Sequence, residues 1–386
     1  MSSSTESFGA GLPAIAPGTT VAVTGATGFI GGRLVERLAQ GGNEITCLIR
    51  GPEAGTRLHR AGARIRALDL ADVEAVRAAL HGIDVVFHLA YDRDDVEWNY
   101  KALRALIEAC RSNGCRRLVH VSSFVVYETP SEGEVSEESS KTTATGGYAH
   151  VKLELEAELL KAVHEKGVPG TIVQPAIVYG PFSRPWTIDP ADMLQHGTVV
   201  LPGSGEGICN AVYVDDVVSA MILAAVRPEA VGQQYLISGP APITWGQFYE
   251  GMASAVGANG PQYQPAGAIA RANSKAGKLL RLVADPEHVI RRVASVGPCR
   301  KMVTTLLRVL PNGVRRSAHN RLFDPTTRRR GHVHVPNLGH LSFLQSRATI
   351  SSAKAREGLG YAPAFSFDKA IVPTARYLKH TYLKSD

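Results

Sequence analysis

The chain has 386 residues, of which 44% are hydrophobic and 20% charged, with a net charge of +7 and a mean hydropathy of -0.04. That length exceeds one typical core and leaves room for a large domain beside a smaller one. No run reaches the roughly 18 consecutive apolar residues of a membrane span, and the opening MSSSTESFGAGLPAIAPGTT has neither the basic region nor the apolar core of an export signal, so a cytoplasmic protein is expected.

Five cysteines, Cys47, Cys110, Cys115, Cys209 and Cys299, lack metal-ligand spacing and read as reduced thiols, with no disulfide and no bound metal expected. The positive charge is local. Residues 268–330 hold 15 Lys or Arg against Asp285, Glu287 and Asp324, so the rest of the chain is mildly acidic.

In chain order, residues 1–17 are rich in Ser, Gly, Pro and Ala without periodicity and read as a tail. TTVAVTGATGFIGGRLVERLAQGG then gives a strand, a glycine turn and a helix ending in Gly-Gly. EITCLIR and RIRALDL read as strands, VEAVRAAL as a helix, VVFHLA as a strand, ALRALIEACRSNG as a helix and RLVHVSS as a strand. GTIVQPAIVYG and QQYLISG add a strand pair around the helix VDDVVSAMILAA. Alternating strands and helices predict an α/β fold: a Rossmann doubly wound parallel sheet over 18–180, completed by about 211–239. The remainder, 181–210 and 240–386, is loop-rich or helical and reads as a smaller, mostly helical C-terminal substrate-binding cap.

TGATGFIG sets Gly25, Gly28 and Gly31 between a strand and a helix. Glycines there permit the tight turn and close backbone approach to a pyrophosphate, and the helix N-terminus offers free N–H groups to it. About 20 residues on, where an acidic side chain would take a ribose 2′-hydroxyl, the second strand ends in Arg50. An arginine suits a 2′-phosphate and favours NADP(H), with NAD(H) the alternative; Arg33 and Arg57 are further candidates for the phosphate. In YAHVK, Tyr148 and Lys152 stand four apart, on one face of a helix, where their head groups can share a ligand.

These motifs, with LDL, FHLA, NYKALRALIEAC, HVSSFVVY, QPAIVYGP and NAVYVDD, together resemble the extended short-chain dehydrogenase/reductase family of nucleotide-sugar epimerases, dehydratases and ketone reductases. The likeness runs from about Thr19 to Gly239 and returns in SSAKAREGLGYAPAFSFDKAI.

It implies Tyr148 as catalytic acid or base, Lys152 as its partner and Ser123 as donor to the substrate oxygen. It implies a cofactor held by Gly25, Thr27, Gly28, Phe29, Ile30 and Gly31 at the turn, and by Asp69 and Leu70 at the adenine. Leu89, Ala90, Asn99, Pro175, Ile177 and Val178 would complete that cofactor site. Ser122, Tyr179, Arg184 and Asn210 are the candidate substrate residues, and a homodimer pairing the helices that begin near Glu97 and Tyr148 is implied.

A free tyrosine titrates near pH 10, so an adjacent ammonium and the positive nicotinamide are needed to stabilise its phenolate. Dehydratases of the family carry an Asp-Glu pair directly after the Ser or Thr, where this chain has Phe124 and Val125, and related decarboxylases carry a Glu at the place of Val125. A reductase or dehydrogenase and a redox-neutral 4-epimerase remain. Arg50 and the short YDRDDVEW link favour the former. VYGPFSRPW, with Arg184 available to a phosphate, favours a nucleotide-sugar substrate. A non-enzymatic NADP-binding scaffold is the minor alternative.

KLLRLV, HVIRRVASV and KMVTTLLRVL alternate apolar and basic residues at helical spacing. They read either as helices packing inward with arginines in water or as an interfacial surface for anionic membrane. Nucleic acid is not expected, because the segment lacks interleaved aromatics. His332, His334 and His340 have no neighbouring carboxylate or cysteine and read as a solvated loop.

Overall fold

The computed structural model describes residues 13–51, 55–273 and 332–382. Seven strands form one parallel sheet: β1 (Thr20–Thr24), β2 (Glu44–Ile49), β3 (Arg64–Ala67), β4 (Val85–His88), β5 (Arg117–Val121), β6 (Gly170–Pro175) and β7 (Gln234–Ile237). Their spatial order is 3-2-1-4-5-6-7. The direction of winding reverses between β1 and β4, and in such sheets the crevice beyond the carboxyl ends at that point receives the ligand.

The connecting helices are α1 (Phe29–Gln40), α2 (Val73–Ala79), α3 (Val96–Asn113), α4 (Gly147–Lys166) and α5 (Val214–Val226). Ala22, Leu48, Val86, Leu118 and Ile172 share one sheet face and are buried with Val76 of α2, Leu103 and Leu106 of α3 and Leu155 and Leu159 of α4. Fully burying each such leucine stabilises the fold by about 1.5–3 kcal/mol. The opposite face is covered by α1 and α5, which pack on each other. Residues β1 and β4–β6 contribute are buried on both faces, which explains why these strands read as continuous apolar runs.

α3 starts at Asp95, whose carboxylate accepts the Trp98 N–H. It ends at Gly114 in the left-handed region, φ 67°, with the Cys115 N–H on the Cys110 carbonyl at 3.0 Å and the Gly114 N–H on Arg111 at 3.4 Å. This paired closure is the Schellman arrangement that glycine makes possible.

The chain divides into two compact units, 1–189 with 208–244 and 346–386, and 190–207 with 245–345. The last segment, expected in the cap, thus packs in the first unit. The Asp216 carboxylate accepts the N–H groups of Ala364 and Phe365 at 2.8 and 3.2 Å, and the Tyr361 hydroxyl donates to Ser238 O at 2.8 Å. The second unit is not purely loop and helix. Gly197–Pro202 is the centre of a three-stranded parallel sheet between Gln262–Gln264 and His332–His334, so the expected histidine loop begins as a strand. Its core gathers Val200, Ile269 and Leu341.

GTIVQPAIVYG is also divided. After Pro175, which has no N–H to donate, Ile177–Tyr179 leaves the main sheet and pairs in parallel with Ala211–Tyr213. The basic helical segments expected to pack inward or meet a membrane fall in 274–331, outside the described residues, as do Cys299 and residues 1–12 of the tail, whereas the tail's last residues are held, with Ile15 buried and Ala16 O accepting from Thr19 and Asn43. Among the described residues no helix is long and apolar enough to cross a membrane, no group of three or more His, Cys, Asp or Glu could hold a metal, and Cys47, Cys110, Cys115 and Cys209 are free thiols.

Candidate active site

The glycine turn follows β1 directly. Gly25 has φ +66°, and a Cβ built on it would lie 2.7 Å from Leu89 C and Ala90 N, so only glycine lets the turn close on the end of β4. A Cβ on Gly31 would lie 2.3 Å from Gly25 O, which seats α1 against the turn. Gly28 is the N-cap of α1 and has no side chain to occupy the helix N–H groups. Thr27 and Gly28 are exposed, and Phe29 and Ile30 half-buried beside them. This backbone cradle, open at a helix N-terminus, fits a dinucleotide pyrophosphate.

From Ala90 the chain leads straight to the tyrosine. The Tyr91 ring meets the Tyr148 ring edge-on, with centroids 5.0 Å apart, and Lys152 Nζ lies 4.9 Å from the Tyr91 centroid and 5.8 Å from that of Tyr148. Tyr148 and Lys152 both lie in the first two turns of α4, as their spacing predicts. Lys152 is buried and donates to Val121 O at 2.8 Å. Ser123 follows two residues later with extended backbone, and its hydroxyl lies near enough to Tyr148 to lower that residue's pKa. The three residues assigned to catalysis are therefore brought together where β4 and β5 end.

Electrostatics divide the two head groups. Tyr148 is 45% exposed, yet the protein around its hydroxyl pushes its pKa up to about 12; Tyr91 adds to the rise, and Ser123 and the positive charge of Arg93 oppose it. Burial pulls Lys152 down to about 8, partly offset by Glu156. At neutral pH the pair is a phenol beside an ammonium, suited to proton donation.

Behind them lies a buried polar layer. Thr24 Oγ1 accepts the N–H groups of Leu89 and Ala90 at 3.2 Å each and lies 2.8 Å from His88 Nδ1. With its lone pairs so engaged, the hydroxyl donates to Nδ1, which leaves His88 protonated on Nε2. Burial and the Lys152 charge keep His88 neutral, with a pKa near 3, and hold His120, 5.1 Å away ring to ring, well below its usual value. Glu156, buried beside Gln174 Nε2 at 2.8 Å, is pushed up by burial against the pull of Ser122 and Gln174.

Other predicted residues have different surroundings. Ser122 is buried, and its hydroxyl lowers the pKa of Glu156. Tyr179 is buried against Tyr213 and Phe367. Asn210 spends its side chain on Ala348 O and the Ile350 N–H, at 3.0 and 2.9 Å, and ties the C-terminal segment down. Arg184 is exposed and pairs with Asp189 at 3.5 Å. Asn99 is buried and bonds to Asp92 N and O at 2.8 Å, so it braces the loop after β4. Pro175, Ile177 and Val178 are buried where β6 ends, and Leu70 is buried next to Asp69.

Of the three candidate arginines, Arg33 is committed to Asp215 at 2.5 and 3.1 Å and to Glu36. Arg57 bonds Glu36 and lies 4.0 Å above the Phe182 ring. Arg50 keeps 65% of its side-chain surface open. Tyr91, Trp98 and the charge of Arg93 act on candidate site residues and were missed by sequence reasoning. All three stand in YDRDDVEW, which carried a signal of length only.

Residues 21–238 match the model of the NAD dependent epimerase/dehydratase family. The chain is 28% identical over 242 residues to the 2-alkyl-3-oxoalkanoate reductase of Shewanella oneidensis, across 58% of this chain and 62% of that protein. It therefore spans less than two thirds of that relative's length. It is 32% identical to cinnamoyl-CoA reductase 1 of Arabidopsis thaliana, across 58% of this chain and 71% of the relative, and 29% identical to the UDP-glucose 4-epimerase of Mycolicibacterium smegmatis, across 63% and 85%. Among solved structures, the UDP-glucose 4-epimerase of Thermotoga maritima with UDP-glucose shares the fold, with a TM-score of 0.64 at 20% identity over 94% of this chain and 99% of the other. With its winding reversal, glycine cradle and family match in agreement, the chain belongs to the NAD dependent epimerase/dehydratase family, whose members are extended short-chain dehydrogenases/reductases.

Proposed function

We propose that the protein is an NADP(H)-preferring reductase or dehydrogenase that moves a hydride to or from a small keto or hydroxy substrate, with Ser123, Tyr148 and Lys152 as its reacting site. The observation that carries this reading is the Tyr148 side chain flanked by the buried Lys152 ammonium, whose Nζ lies 5.8 Å from its ring centroid, with Ser123 close by. The nicotinamide supplies or accepts the hydride. Ser123 orients the substrate oxygen, Tyr148 gives it a proton during reduction, and Lys152, fixed on Val121 O, stabilises the phenolate left behind. Arg50, the one of the three arginines with most of its surface open, supports the 2′-phosphate preference. The reductases among the relatives support the direction of chemistry.

A second reading, a 4-epimerase that retains NAD through a redox-neutral cycle, draws on the epimerase relative and uses the same three residues. Denaturing the purified protein and identifying any released nucleotide separates the two. Protein that releases none and binds NADPH more tightly than NADH fits the reductase; stoichiometric NAD overturns it in favour of the epimerase.

A further inference from the structure

Arg50 is held by two groups from outside its own strand. Its Nη1 pairs with Asp92 Oδ2 at 2.7 Å, and its guanidinium lies 5.2 Å from the Trp98 ring centroid. Trp98 is fixed in turn, since its Nε1 donates to Asp69 Oδ1 at 2.7 Å. Asp92 is fixed twice over: its Oδ1 accepts the N–H groups of Asp94 and Asp95 at 3.0 and 3.1 Å, and its own main chain is clasped by Asn99. Loop geometry therefore presents Oδ2 to Arg50. A guanidinium has five N–H donors in a planar fork, and since Asp92 is bonded only to Nη1, a phosphate can take two donors in parallel.

Resting on the NADP(H) reading above, we propose that Asp92 and Trp98 are positioning residues that set the choice between NADPH and NADH through Arg50. Trp98 supports the guanidinium on its ring face. Asp92 is an internal rival for the 2′-phosphate: it neutralises Arg50 when no phosphate is bound and opposes an incoming phosphate with its own negative charge. The site is thus tuned for a moderate preference, strong enough to favour a 2′-phosphate and weak enough to release it.

The two residues have separable variants. Asp92→Asn keeps an Oδ1 acceptor for the Asp94 and Asp95 N–H groups, so the loop stays closed while the rival charge is removed. Trp98→Phe keeps a ring face and loses the bond to Asp69; Trp98→Leu loses both. The quantity to read is the ratio of NADPH to NADH affinity, by fluorescence titration of the whole protein, because effects on the shared adenine and pyrophosphate cancel in it.

The expected result is a ratio that rises by about twofold to fivefold in Asp92→Asn, the range of an exposed ion pair. It should fall by about twofold to fivefold in Trp98→Leu, the range of an exposed cation–π contact, and stay near wild type in Trp98→Phe. Arg50→Gln is the reference arm. If Arg50→Gln collapses the ratio while Asp92→Asn and Trp98→Leu leave it unmoved, Arg50 reads the phosphate alone and the inference is overturned with the NADP(H) reading intact. A ratio that falls in Asp92→Asn overturns it as well, since Asp92 would then be aiming Arg50 and not rivalling the phosphate. A ratio unmoved by Arg50→Gln removes the NADP(H) reading and this inference together.

Discussion

Lys152 Nζ donates to the Val121 carbonyl at 2.8 Å, which ties α4 to the end of β5 two residues before Ser123. The Lys152 ammonium is therefore positioned by the sheet.

Replacing Tyr148 by Phe removes the proton donor and keeps the ring that packs on Tyr91. Turnover should fall by about 10²- to 10⁴-fold while NADPH binding, read by fluorescence, is unchanged. A variant that keeps its rate would reassign the acid.

The pH dependence follows from Lys152, which burial brings down to about 8. The group is charged below that value, so kcat/KM for carbonyl reduction should decline as pH rises through about 8, and Lys152→Met should lose that limb of the profile. Stability carries the opposite sign. Because the folded value lies below the free-lysine value of 10.5, between the two the unfolded chain holds the proton and the folded one does not, so the contribution of this group to stability rises with pH across that window and is lost as pH falls through about 8. Urea midpoints of wild type and Lys152→Met between pH 7 and pH 10 test it.

Arg33→Met should leave the Asp215 carboxylate, 6% exposed, without its two guanidinium bonds. A loss of about 1–3 kcal/mol is expected, discounted for the partial exposure of Arg33. Adding Asp215→Asn should recover part of it in a double-mutant cycle, and full additivity would show that the two side chains do not couple.

Asn210→Ala should cost about 1–3 kcal/mol, because it releases Ala348 O and the Ile350 N–H. The Michaelis constant should not change. A raised KM with unaltered thermal midpoint would return Asn210 to the substrate site.

Sequence reasoning reached the parts of this molecule that obey local rules. The two-sided burial of β4 and β5 shows as unbroken apolar runs, the close approach at Gly25 and Gly31 demands glycine, and the four-residue spacing of Tyr148 and Lys152 is helical geometry. Residues whose role depends on distant partners were not legible. Nothing near Asn210 in sequence foretells Ala348 and Ile350, nothing near Trp98 foretells Asp69, and Tyr179 is enclosed by Tyr213 and by Phe367 from nearly two hundred positions on. The chain 346–382 reads as cap because it is loop-rich or helical like the rest of 240–386, whereas the buried acceptors on Asp216 and Ser238 claim it for the first unit.

That claim governs the order in which the molecule can be completed on the ribosome. Asp216 is fully buried, and burial raises its pKa to about 6 even with both backbone donors in place. Until Ala364 and Phe365 have been synthesised, the carboxylate at the start of α5 lacks both backbone donors. The first unit therefore gains these two bonds only after the second unit and the basic segment have been synthesised. Chains ending before residue 346 should accumulate as incomplete, protease-sensitive species and not as a minimal cofactor-binding domain.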